Sequence, residues 1–150
     1  MKKKSFYWGN LIIPIVLGVI VYILYRQDTY IAIGFTRLME TVGLKLNYPN
    51  VQNTPGYFFI RNYVCDGLWA YSLTFAVFLA YDCQSSEMKK TFIISAIFGI
   101  CIELLQKLDF IPGTFDYWDI AVQTAFCLCA IGIISLKNRR RRWKKVLSYL

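Results

Sequence analysis

The stretch YWGNLIIPIVLGVIVYILY, residues 7–25, contains no Asp, Glu, Lys or Arg, and it decides the class of fold. It follows Lys2, Lys3 and Lys4 and is closed by Arg26. Its length approaches the roughly 20 residues that a helix needs to cross a bilayer. No small-x-small cleavage pattern follows it, which disfavours a signal peptide. The stretch therefore predicts a first membrane helix.

The rest of the chain has the same character. Hydrophobic residues make up 57% of the 150 residues and charged residues 17%, and the mean hydropathy is +0.42, too apolar for an ordinary soluble domain. Apolar blocks predict further crossings at residues 63–81, 91–106 and 118–136. Residues 30–46 have helical apolar spacing with interspersed charges, which predicts an amphipathic surface helix, followed by a loop over residues 47–56. We therefore expect an all-α, polytopic, single-domain membrane protein with four crossings.

Basic residues predict the orientation of these helices. Most Lys and Arg residues fall before the first crossing, at Lys89 and Lys90, and in the tail of residues 137–150. The positive-inside rule then places both termini in the cytoplasm. A basic run beside a crossing favours anionic lipid as its partner over nucleic acid.

Histidine is absent from the sequence, and this limits the possible chemistry. Ser-His and Cys-His catalysis are excluded, as are histidine-ligated metal sites. What remains for chemistry is a set of carboxyl and carboxamide groups.

These groups concentrate on the side opposite the termini. Glu103 lies inside the third apolar block, where a charge is expensive unless it is paired or solvated. Gln106 is three residues later and on the same helical face. A short Pro112-Gly113 turn should bring the fourth helix alongside, with its own polar residues at helical spacing, and Asp66 enters from the start of the second helix. The pattern predicts one outward-facing pocket that gathers Asp66, Glu103, Gln106, Asp116, Asp119 and Gln123.

A structural interpretation of the same residues stays open. Glu103 and Gln106 are also compatible with an interhelical hydrogen bond, and Asp116 and Asp119 with the preference of helix N-termini for anions. That interpretation explains Glu103 poorly, because Glu103 lies towards the C-terminal end of its helix. If the pocket exists, its carboxylates are suited to holding a divalent cation, to binding a cationic group, or to acid and base catalysis.

The motif Glu103-Leu104-Leu105-Gln106, followed by Asp116, Asp119 and Gln123, resembles the VanZ-like family of small four-helix bacterial membrane proteins. The resemblance covers the second to fourth crossings, and Gly132 fits the glycines that follow the motif in that family. This chain differs at Thr114, where Arg is usual, at Gln123, where Asn is usual, and around Ala70, where Lys and His are frequent. The family is named for glycopeptide-antibiotic resistance, so the resemblance implies a bacterial inner-membrane protein with a role in the cell envelope.

Three functions are compatible with these observations. The first is a pocket that binds a polar or cationic group of an envelope component or antibiotic. The second is a membrane-embedded hydrolase or transferase acting on a lipid-linked substrate, and the third is a structural or partner-binding subunit. We assign Glu103 and Asp119 as candidate catalytic residues and expect no cofactor apart from a possible divalent cation. The candidate binding residues are Asp66, Trp69, Gln106, Asp116 and Gln123.

Overall fold

A computed structural model of the chain describes residues 4–26, 30–45, 55–111 and 113–147. The chain is all-helical, with 85% helix and no strand in these ranges. The predicted loop at residues 47–56 falls mostly outside them, as does Pro112 of the predicted turn. The helices are α1 (Ser5–Tyr25), α2 (Tyr30–Thr41), α3 (Pro55–Phe59), α4 (Cys65–Ala80), α5 (Met88–Lys107) and α6 (Tyr117–Leu147).

Three helical segments are long and apolar enough to cross a membrane: Ser5–Tyr25, Gly56–Ala80 and Tyr117–Arg140. Many of their large apolar side chains are exposed, as Ile13, Val16 and Val19 of α1 are. Outward-facing apolar residues along such helices are the pattern of a lipid-facing surface, which supports a membrane protein. Helix α5 is not among these three segments, so a count of four crossings stays a prediction.

The predicted first and fourth crossings correspond to α1 and to the first part of α6. Pro14 lies inside α1, where a membrane helix tolerates it. The second crossing begins earlier than predicted, because α3 and a π-helical turn at Ile60–Val64 precede α4 without interruption. Helix α6 continues through the basic segment to Leu147, so most of the predicted tail is helical.

The segment predicted to be an amphipathic surface helix forms α2, which ends at Thr41 rather than at residue 46, and its position on a membrane surface stays a prediction. Gly43 adopts a left-handed conformation with φ of +81°, and the N–H of Leu44 donates to the carbonyl of Met39 at 2.9 Å. This is a Schellman ending, for which glycine is the favoured residue. Gly43 is therefore the residue in the sequence that indicates where α2 ends.

Helix α4 lies at the centre of the bundle and packs against α1, α5 and α6. Small residues allow the close approach, as is common between membrane helices. A Cβ on Gly67 of α4 would come within 2.8 Å of the Phe126 ring on α6. On α5 the buried residues recur every fourth position, at Thr91, Ser95, Gly99 and Glu103. This buried stripe carries Glu103 into the interior of the bundle.

The end of the bundle where α1 begins has an apolar core. We call this core the N-terminal cluster, and it consists of Tyr7, Phe75, Phe78, Ala130 and Ile134. The Tyr7 hydroxyl donates to Asn138 Oδ1 at 2.9 Å, and this bond is buried. At the surface nearby, Lys4 Nζ lies 2.8 Å from Asp82 Oδ1. The predicted polar residues all lie at the opposite end of the bundle.

Candidate binding cavity

At that opposite end, a cavity of about 410 Å³ lies among α4, α5, α6 and the end of α1. This volume falls within the usual range of small-molecule sites, roughly 300–1,000 Å³. Most of the residues predicted from the sequence line it, namely Asp66, Trp69, Glu103, Gln106, Asp119 and Gln123. Three different helices supply them. The structure therefore brings together side chains that are far apart in sequence, since Asp66 and Gln123 are separated by 57 positions.

Glu103 is the most buried of the carboxyl groups, with 2% of its surface exposed. The Gln123 amide Nε2 donates to its Oε1 at 3.2 Å, and the backbone N–H of Asp116 donates to its Oε2 at 3.5 Å. Both donors come from α6 or the residue before it, across the interface with α5. Glu103 is therefore held in a fixed position, as the structural interpretation of this residue requires.

The Gln123 carboxamide has room beside α5 only because residue 99 is glycine. A Cβ on Gly99 would collide with Gln123 Oε1. A similar relation exists in the turn before α6, where Gly113 has φ of +148° and a Cβ would press on the Gln106 carboxamide. Two glycines thus make space for the two amides of the cavity.

Asp119 has a different environment from Glu103. Its Oδ1 atom is buried and has no hydrogen-bond partner among the residues that the structure describes. A buried carboxylate oxygen without a donor is costly, because its interactions with water are lost without replacement. A bound molecule that donates a hydrogen bond or carries a positive charge would remove this cost. Asp119 is therefore a cavity residue that a bound hydrogen-bond donor or cation would stabilise.

Asp116 is the one predicted binding residue that does not line the cavity. Its Oδ1 accepts from the backbone N–H of Trp118 at 2.9 Å, which caps the N-terminus of α6. Its Oδ2 accepts from the Tyr63 hydroxyl at 3.1 Å. Asp116 thus positions α6 and Glu103, and for this residue the helix-terminus interpretation fits the geometry.

Arg26, which was not among the predicted site residues, lines the cavity from the end of α1. Its Nε donates to the carbonyl of Arg61 at 2.9 Å, which ties the end of α1 to the π-helical turn. A cation directly after an apolar block ordinarily indicates only the membrane boundary. The position of Arg26 in the sequence therefore did not indicate a role in the cavity. Thr114, noted before only as a departure from a family pattern, also lines the cavity.

The charges of the cavity are unequal in sign. Asp66, Glu103 and Asp119 contribute three carboxyl groups, and Arg26 contributes one guanidinium. Such a cavity favours groups that carry positive charge or several hydrogen-bond donors. Within the described ranges, no group of three or more Cys, Asp and Glu residues is arranged to hold a metal ion.

Comparisons with protein-family models, with curated proteins and with solved structures gave no match. The arguments about function therefore rest on the residues and geometry of this chain.

Proposed function

We propose that this chain is a VanZ-like protein of the bacterial cytoplasmic membrane whose outward-facing cavity binds a cationic or donor-rich polar group of an envelope component. In this proposal α5 is the fourth crossing, both termini are cytoplasmic, and the basic end of α6 lies against anionic lipid. The observation that carries it is the buried Asp119 Oδ1, which has no donor among the described residues and belongs to a cavity shared with Asp66 and Glu103.

The cavity is suited to such a group for two reasons. Its carboxyl groups outnumber its single guanidinium, which favours a cation over an anion. Its amides are already placed by packing, since Gly99 and Gly113 leave the room that Gln123 and Gln106 occupy. Polar groups held in place before binding lose little entropy when the ligand arrives.

A second candidate function is hydrolysis or group transfer on a lipid-linked substrate. The observation that favours it is the unequal environment of the two carboxyl groups in one cavity. In the part of the chain that the structure describes, Glu103 accepts two hydrogen bonds and Asp119 Oδ1 accepts none. Acid and base catalysis uses pairs of groups that differ in this way. In that case Glu103 and Asp119 are the catalytic residues.

The binding proposal is tested with dansylcadaverine, a water-soluble fluorescent amine, and purified protein in nanodiscs. We expect saturable binding, and we expect Glu103→Gln and Asp119→Asn each to weaken it about 10- to 100-fold, since each removes a charged hydrogen-bond acceptor worth about 1.5–3 kcal/mol. Asp109→Asn is the matched control, because Asp109 lies just after α5 at the same end of the bundle but does not line the cavity. Thermal unfolding followed by circular dichroism verifies that each variant is folded.

The proposal is wrong if an uncharged dansyl amide binds as tightly as dansylcadaverine, or if folded Glu103→Gln and Asp119→Asn variants bind like the wild type. Incubating the same proteins with radiolabelled bacterial lipid extract separates the second candidate. Turnover that both variants lose while Asp109→Asn retains it would establish an enzyme. The third function, a structural subunit, predicts neither binding nor turnover.

A further inference from the structure

A second opening lies on the outer surface of the bundle, between α1 and α4. It is a groove of about 410 Å³ whose lining is mainly apolar and includes Pro14, Ile15, Val19 and Ile23 of α1. Ile15 is 41% exposed and Val19 is 51% exposed, so the groove opens on the surface that faces lipid in a membrane. An apolar groove at this position is suited to a hydrocarbon chain.

The groove and the polar cavity meet. Asp66 and Trp69 line both of them, so apolar and polar surface adjoin along one face of α4. Trp69 has an apolar ring and an N–H donor, which suits a boundary between hydrocarbon and polar groups. A molecule that extends across this boundary must have an apolar chain and a polar head.

The charges of the cavity identify the class of head group. Asp66, Glu103 and Asp119 favour a primary ammonium, which offers three donors to surrounding oxygens. Arg26 lines the same cavity, and its positive guanidinium is suited to a phosphate group. A head group that carries both an ammonium and a phosphate meets opposite charge for each.

We propose that the ligand is an aminophospholipid of the surrounding bilayer, with one acyl chain in the groove between α1 and α4 and its ammonium among the carboxyl groups of the cavity. This inference rests on the proposed binding function and names its ligand class. The protein then takes its ligand sideways from the membrane, past Asp66 and Trp69, rather than from the aqueous phase.

Photolabelling tests this directly. Protein is reconstituted into phosphatidylcholine vesicles that contain a small fraction of phosphatidylethanolamine with a diazirine in the acyl chain, and matched vesicles contain the same probe as phosphatidylglycerol. We expect the ethanolamine probe to label peptides from α1 and the first turns of α4 about tenfold more than the glycerol probe, as one charge-assisted hydrogen bond would produce. Asp66→Asn is expected to abolish most of this preference.

Gly18 supplies a variant that blocks the groove. It lines the groove, and a Cβ there meets only Leu68 at 3.8 Å, so Gly18→Ala fits and Gly18→Leu fills the space. We expect Gly18→Leu to lower labelling of α1 about tenfold while dansylcadaverine binding stays intact. Gly9→Leu is the matched control on the same helix, since a Cβ at Gly9 has no atom within 4 Å.

Equal labelling by the two probes at α1 and α4, or labelling that Gly18→Leu and Gly9→Leu affect alike, would show ordinary boundary lipid and overturn this inference. If dansylcadaverine still binds in that case, the cavity function stands with a different ligand. If neither dansylcadaverine nor the ethanolamine probe is bound selectively, both proposals fail.

Discussion

The two ends of the bundle are built from the same helices but have opposite interiors. The N-terminal cluster packs aromatic and aliphatic side chains with no exposed surface, including Tyr7, Phe75 and Phe78. The cavity end instead turns carboxyl and amide groups inwards, and Asp119 Oδ1 has no hydrogen-bond partner among the described residues. Asn138 Nδ2 at the other end also lacks one, but the Asn138 side chain is held by its bond to Tyr7. The difference indicates that one end stabilises the bundle, whereas the other carries polar groups whose burial costs stability, as is common at functional sites.

The largest expected effect is on the stability of the N-terminal cluster. Phe78→Ala removes a fully buried ring and should lower the free energy of unfolding by about 3–5 kcal/mol, because a cavity remains. The measurement is unfolding by sodium dodecyl sulfate in mixed micelles, followed by circular dichroism. Leu128→Ala, at a 55% exposed position of α6, is the control and should change stability far less.

The same measurement on Asp119→Asn sharpens the contrast between the two ends. This change removes a buried charge whose Oδ1 atom has no donor among the residues with a described structure, so the free energy of unfolding should stay unchanged or increase. A loss as large as that of Phe78→Ala would contradict the division of the bundle into a stabilising end and a binding end.

Much of this division was predictable from the sequence, because it follows from periodicity. The helical spacing from Glu103 to Gln106 and from Asp119 to Gln123 places each pair on one helical face. A short connection between α5 and α6 makes those faces neighbours. The cavity residues were therefore predicted from local pattern and connection length, together with Asp66 at the same depth.

Other features depend on tertiary packing and had no local pattern. Arg26 reaches the cavity only because α1 packs against α4 and its last residues meet the π-helical turn. The cap that Asp116 forms on α6 was open to two interpretations in the sequence, since a carboxylate before a helix suits both binding and capping. The roles of Gly67 and Gly99 depend on the side chains of α6 that they face, and the sequence of α4 or α5 alone does not specify these.

A smaller effect is expected for Tyr7→Phe, which keeps the ring of the N-terminal cluster and removes the buried hydrogen bond to Asn138. Hydrogen bonds between membrane helices contribute about 1 kcal/mol, so we expect a loss of about that size in the same unfolding assay. Tyr71→Phe is the matched control, because its hydroxyl donates to Asn10 Oδ1 at 2.7 Å in a less buried place. If Tyr71→Phe lowered the free energy of unfolding more than Tyr7→Phe, burial would not determine how much these hydrogen bonds contribute to stability.

The smallest effect concerns the ion pair at the surface of the same end. The hydrogen bond and charge of Lys4 lower the pKa of Asp82, and the same contact raises the pKa of Lys4. Because the folded pKa of Asp82 lies below its unfolded value of about 3.9, the stabilisation is complete above that value and is lost as the pH falls through the folded pKa. Both side chains are largely exposed, so solvent and salt screen the contact and the effect should be small.

Asp82→Asn isolates this pair, since Asn tolerates the left-handed backbone of residue 82, where φ is +50°. We expect the melting temperature of the wild type to exceed that of Asp82→Asn slightly at neutral pH and low salt. The difference should shrink as the pH falls below the unfolded pKa of about 3.9 and should be lost below the folded pKa of Asp82. High salt should also remove it at neutral pH. A difference in melting temperature that persists in acid and in high salt would have to come from packing. The stabilising role of the N-terminal cluster would then extend to the surface turn after α4.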